Sequence, residues 1–170
     1  MDRLYFYSKS RDVPPGKGTN ESVEVPAEYR TLAGIPRWRQ VLSNFSDDCI
    51  VQYQGLTYRT VEHVFQAAKI RLVDPDAAFT FALESDSPLA TGSGADAQKQ
   101  RKLRRLPEEQ LRRWESLQLR LLKEVWEFKA GNCPLFRAVL KATRDAQLWH
   151  VVSRKPAVRW KQLEAIRARL

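Results

Sequence analysis

Tyr58-Arg59-Thr60-Val61-Glu62-His63-Val64-Phe65-Gln66-Ala67-Ala68-Lys69 decides the reading of this chain. Thr60 is an acceptable N-cap, and the residue before Pro75 is pushed out of helical geometry, so the stretch predicts a helix from Thr60 that stops before Asp74-Pro75. Offsets of four and seven residues return to one face, which puts Glu62, Gln66 and Lys69 on a single stripe. The rest of the helix is largely apolar (Val61, Val64, Phe65, Ala68). Glu62 and Lys69 stand two turns apart, roughly 10 Å along the axis. That is too far for a simple one-turn ion pair and better suited to holding two parts of one ligand.

Working outward, Cys49–Tyr53 and Leu56–Arg59 predict a hairpin around Gln54-Gly55. Residues 4–8 predict a short strand, followed by an irregular stretch from Arg11 to Pro36. Within it, Gly16-Lys17-Gly18 offers backbone N–H groups and a cation. It reads either as an anion cradle or as a flexible polar loop, and is far short of a P-loop. Ile35–Phe45 predicts one helical turn running into a loop, with Arg37 and Arg39 flanking Trp38. Asp74-Pro75 opens a helix to about Leu83, Ser87-Pro88 repeats the start signal, and Thr91-Gly92-Ser93-Gly94 breaks the pattern.

Lys99-Gln-Arg101-Lys102-Leu-Arg104-Arg105 is a dense basic run, either a solvated face or a nucleic-acid backbone contact. Pro107 starts the longest helix, with Leu111, Trp114, Leu117, Leu121, Val125 and Phe128 on its core face and Gly131 at its end. Pro134–Thr143 predicts a helix with Leu135, Phe136, Val139 and Leu140 inward. Leu148–Val152 predicts a strand, and Val158–Leu170 an amphipathic closing helix.

The chain has 170 residues, which suits a single domain over 1–170, and the order of elements predicts a compact, mostly helical α+β fold with a small sheet. No apolar run approaches a membrane span, so no membrane partner is expected. Two cysteines without metal-like spacing suggest reduced thiols and an intracellular, cytoplasmic protein. The formal charge of +9 favours polyanionic company. Two histidines, with no further ligand at metal spacing, argue against a metal site. There is no Gly-x-Ser-x-Gly elbow and no Gly-x-Gly-x-x-Gly after a strand.

From spacing alone the plainer readings lead: Glu62 as a solvated charge, Lys69 as a surface amine, Trp114 as a core residue. In the sharper reading, a desolvated Glu62 serves as acid or base, a desolvated Lys69 as a Schiff-base nucleophile, and Trp114 stacks on a base.

The string Thr60-Val-Glu62-His63-Val-Phe-Gln66-Ala-Ala-Lys69, preceded by Phe6-Tyr7-Ser8 and Leu42-Ser43-Asn44-Phe45, closely resembles the NADAR family. Trp114-Glu115, Phe128-Lys129 and Leu140-Lys-Ala-Thr143 extend the resemblance over nearly the whole chain. Gly16-Lys17-Gly18 and Leu148-Trp149-His150…Lys155-Pro156…Arg159 resemble one subgroup.

The resemblance implies a NADAR-like domain and N-glycosidic bond hydrolysis without a cofactor. The expected reaction is removal of ADP-ribose from ADP-ribosylated guanine in DNA or RNA. Alternatives are hydrolysis of phosphorylated riboflavin-pathway intermediates, a non-catalytic ADP-ribose or nucleotide-binding module, or a basic nucleic-acid-binding domain. Glu62 matches the family's catalytic acid and Lys69 its lysine. Ser8, Lys9, Gly16, Lys17, Gly18, Arg37, Asn44, Phe45, His63, Gln66, Trp114, His150 and Arg154 are the expected substrate contacts. The expected partners are an ADP-ribose-containing ligand or a phosphorylated nucleotide-like metabolite, and nucleic acid; the expected state is a monomer. Many members carry an acid in a glycine-rich loop before the last helix. Here that place is taken by the basic Ser153–Arg159 segment, with no acid between Asp145 and Glu164.

Overall fold

The computed structural model describes residues 1–102 and 104–170; Leu103, inside the basic run, lies outside the described residues. Helix accounts for 51% of the residues and strand for 10%, so the fold is α+β with helices dominant. Contacts divide the chain into two compact units: Met1–Ser43 with Lys129–Leu170, and Asn44–Phe128. No linker marks this division in the sequence. The first unit is closed by pairing between the two ends of the chain, which no local signal announces.

In that first unit, β1 (Arg3–Phe6) runs parallel to β2 (Gln147–His150), with Phe6 opposite His150, and β2 pairs antiparallel with β3 (Val158–Arg159). The expected closing helix over Val158–Leu170 is shorter: Val158-Arg159 is spent on the sheet edge, and the helix proper is Lys161–Arg167. The long irregular stretch also holds structure, a 3-10 turn at Pro26–Tyr29 leading into α1 (Arg30–Ala33). A second short helix, α2 (Trp38–Leu42), buries Trp38, Val41 and Leu42. Leu4, Phe6, Leu32, Phe136, Val139, Leu140, Leu148 and Leu163 complete this core. Leu135, expected inward, is 44% exposed, because the buried stripe of its helix runs through Phe136, Val139 and Leu140 instead.

In the second unit, the hairpin forms as expected: β4 (Val51–Tyr53) pairs antiparallel with β5 (Leu56–Tyr58), and positive φ at Gln54 and Gly55 turns the chain in two residues. The central helix α3 spans Val61–Arg71, with the Thr60 hydroxyl accepting the His63 N–H as N-cap. Asp74 caps α4 (Pro75–Phe79), which ends short of the expected Leu83. Ser87 caps α5 (Pro88–Thr91). The Gly-Ser-Gly break is itself a start signal: Ser93 and Asp96 form a capping box for α6 (Gly94–Lys99). Gly94 is required there, since a Cβ would lie 2.8 Å from Phe45 Cα.

The long helix α7 spans Glu108–Asn132, its last residues, from Lys129, belonging to the first unit. Trp114, Leu121, Val125 and Trp126 are buried, whereas Leu111, expected in the core, is 41% exposed in the first turn. After it come α8 (Pro134–Ala142) and α9 (Lys161–Arg167). The expectation of reduced thiols is corrected: neither Cys49 nor Cys133 is free. No described helix is long and apolar enough to cross a membrane.

His150 stacks on Trp160 with ring centroids 4.5 Å apart, and burial pushes its pKa down from 6.5 to about 4. The unfolded chain therefore binds this proton more readily than the folded one. The resulting stability is complete above pH 6.5 and is lost as pH falls from 6.5 toward 4. The loss is expected to be about 2 kcal/mol by pH 5. Urea melts at pH 7 and pH 5 check this: His150→Phe should lose markedly less stability between them than the parent.

Candidate functional site

The candidate site grows from α3. Glu62 is only 7% exposed, which corrects the plainer reading of a solvated charge. Its Oε1 accepts a 2.8 Å hydrogen bond from Gln66 Nε2, one turn along the same face. Burial raises the Glu62 pKa above its usual 4.5; the Gln66 hydrogen bond and the charges of Arg101 and Lys69 oppose this without cancelling it. The backbone N–H of Glu62 donates to the Asn44 carbonyl at 3.0 Å. Asn44 is held in turn, its Oδ1 accepting from Trp126 Nε1 at 3.0 Å.

Lys69 is half-buried on the Glu62 stripe and makes no ion pair among the described residues. Gln66 is buried, and its Oε1 has no hydrogen-bond partner among the described residues, an open acceptor beside the carboxylate. An unsatisfied buried acceptor is costly in a core and calls for an explanation. Glu62, Gln66, Lys69, Asn44 and Phe45 thus belong to one neighbourhood of the second unit.

His63 does not join them as a ligand contact. It is fully buried, its Nδ1 meets the Thr60 hydroxyl at 2.7 Å, and its Nε2 meets the Leu89 carbonyl at 3.0 Å. A carbonyl only accepts, so Nε2 carries the proton and Nδ1 accepts from Thr60. Both nitrogens are spent on the fold, and burial pushes the His63 pKa down. Trp114 is buried edge-to-face against Phe65, with centroids 4.8 Å apart. It lines a cleft of about 550 Å³ to which α3 presents Ala67, Ala68, Arg71 and Leu72. These residues project from the side of α3 opposite Glu62, Gln66 and Lys69, none of which lines the cleft.

In the first unit, the anion cradle at Gly16-Lys17-Gly18 is already filled by the protein's own carboxylate. Glu21 Oε2 accepts the Gly16 and Gly18 N–H groups at 2.9 and 3.0 Å, while the Lys17 N–H donates to the Pro14 carbonyl. Glu21 is in turn gripped by Arg39, from Nε at 2.9 Å and Nη2 at 2.7 Å, with both side chains buried. Arg39 also donates to the carbonyls of Arg11, Val13 and Pro14. The expectation that Gly16 and Gly18 hold a phosphate through their N–H groups is therefore corrected, because both are spent on Glu21.

Lys9, Lys17, Arg37 and Arg154 are exposed, and Ser8 is half-buried in the turn that closes β1. Arg37 and Arg154 have positive φ, and the Arg37 N–H donates to Asp12. His150 is packed among Phe6 and Trp160.

The sequence reading missed Glu21 and Arg39 as a pair, and missed the cleft. Arg113, Leu117 and Arg120 line that cleft at offsets of four and seven, a stripe visible in the sequence. Compared with family models, curated proteins and solved structures, the chain matches none.

Proposed function

We propose that the protein is an N-glycosidase that breaks a bond between C1′ of ribose and a base. The observation that carries this is the buried Glu62, whose pKa is raised and whose Oε1 is fixed by Gln66 on the stripe shared with Lys69. A carboxyl whose protonated form is favoured by burial can give that proton to a leaving base. As the C1′–N bond breaks, its electron pair leaves with nitrogen, which takes the Glu62 proton. Water then adds to the oxocarbenium-like C1′ and returns a proton to Glu62. The open Gln66 oxygen offers an acceptor for an N–H of the base.

A second route is favoured by one feature, the unpaired amine of Lys69. In it, the ribose ring opens to leave C1′ doubly bonded to the base nitrogen, and the neutral Lys69 amine adds to C1′. The C1′–base bond breaks as the base departs with a proton on its nitrogen, and water hydrolyses the Lys69 imine to free the amine and the ribose aldehyde. The substrate class we favour is ADP-ribosylated guanine in nucleic acid. The net charge of +9 and exposed cations such as Lys17, Arg37 and Arg154 attract a polyanion. Phosphorylated riboflavin-pathway intermediates are the second substrate class, and a non-catalytic ADP-ribose-binding module is the rival reading.

The test is release of ADP-ribose from a guanine-ADP-ribosylated oligonucleotide, followed by chromatography, with a riboflavin-pathway intermediate run in parallel. Release by the parent, lost in Glu62→Gln, is the expected result. Turnover of neither substrate, with ADP-ribose still bound, would overturn the enzyme reading in favour of the binding module. Borohydride trapping separates the routes, since an active preparation that yields no adduct excludes the imine.

A further inference from the structure

We propose that the cleft formed by the β4–β5 hairpin, α3, α4 and α7 binds a nucleotide unit, an aromatic base carrying phosphate, at a place distinct from Glu62. Its volume of about 550 Å³ lies within the range of ligand sites, roughly 300–1,000 Å³. Tyr53, Tyr58 and Trp114 supply aromatic walls. Half-buried Tyr53 and exposed Phe79 are the aromatic surfaces open to a stacked base, with Tyr58 and Trp114 buried behind them. Arg71, Arg113 and Arg120 supply planar guanidinium forks suited to phosphate.

Among the described residues no acidic side chain lines the cleft. Arg113 and Arg120 are exposed and make no ion pair among the described residues, and Arg71 has only a long 3.4 Å contact to Gln54 Oε1. Three cations gathered around apolar walls repel one another, and an anion bound among them relieves that repulsion. Burial, and next the Glu124 charge, raise the Tyr53 pKa, while Arg120 and Arg71 pull it down. The guanidinium charges therefore reach the phenol that forms the wall. The nucleotide unit could be free or one residue of a single strand; both present a base and a phosphate.

The experiment uses the full chain and two probes, ADP by calorimetry and a fluorescent short oligodeoxyadenylate by anisotropy. Arg113→Glu combined with Arg120→Glu is expected to weaken binding by at least about tenfold, since charge-assisted contacts are replaced by repulsion. Arg112→Glu with Lys123→Glu makes the same change in net charge on α7 outside the cleft. It should weaken binding by less than about threefold. Phe79→Ala, on the cleft wall and exposed, removes aromatic surface without touching charge and should also weaken binding.

Binding of ADP assigns the site to free nucleotides, and binding of the oligonucleotide alone assigns it to a strand. Equal losses in the two charge-reversal pairs, or no binding of either probe at millimolar concentration, would overturn the proposal. Glu62→Gln should bind both probes as the parent does. If it loses binding, the ligand occupies the Glu62 face and the proposal fails, whatever becomes of the hydrolase reading.

Discussion

Glu62→Gln is expected to slow N-glycosidic cleavage by about 10²–10⁴-fold, the usual worth of a positioned general acid, without loss of the fold. Glutamine keeps the size and the acceptor oxygen that meets Gln66 Nε2, and removes only the transferable proton. The pH profile gives an independent reading. Because burial raises the Glu62 pKa, the acid form persists above the usual 4.5, and the rate should hold on the acidic side and fall as pH rises through the raised value. Stability moves the same way. A carboxyl whose folded pKa lies above its unfolded value stabilises fully below the unfolded value, and that contribution is lost as pH rises through the folded one. Ionising Glu62 as pH rises therefore burdens the fold, and Glu62→Gln, which cannot ionise, should melt no lower than the parent. A variant that loses activity together with stability would mark Glu62 as structural.

Arg39→Ala is expected to cost about 3–5 kcal/mol, among the largest effects any single substitution can have here. Arg39 and Glu21 are both buried, and removing the guanidinium strands a carboxylate in the interior. It also removes the guanidinium donors to the carbonyls of Arg11, Val13 and Pro14, which Arg39 ties to α2, leaving Arg11 and Pro14 with only the N–H groups of Val13 and Lys17. Urea midpoints at constant slope measure the loss, and limited proteolysis should open first between Arg11 and Glu21. Arg39→Lys should recover only part of the stability, because an ammonium cannot reproduce the two-pronged grip on Glu21. A cost below about 1 kcal/mol would equate the pair with a surface salt bridge and refute its role as the organiser of the loop.

The elements were legible where the signal is local. Thr60, Asp74 and Ser87 cap the helices they announce, and Gln54-Gly55 turns the hairpin it predicts. A cap reaches two or three residues and a two-residue turn reaches four, so sequence neighbours settle both. The same logic was available for Ser93 and Asp96, whose capping box was hidden by the glycines around it. The stripe of Glu62, Gln66 and Lys69 was likewise legible, because helical periodicity alone sets it.

What the sequence by itself determined is therefore the α+β class, the caps and turns, and which side chains share a face of α3. Only the tertiary structure decided which of those side chains are dry and what each polar group meets. It buried Glu62, spent both nitrogens of His63 on Thr60 and Leu89, filled the Gly16–Gly18 cradle with Glu21, and gathered arginines from α3 and α7 around an aromatic cleft. The physical reason is reach. Caps, turns and periodicity are fixed by bonds a few residues long, whereas desolvation and the choice of a partner depend on chain segments that only folding brings together.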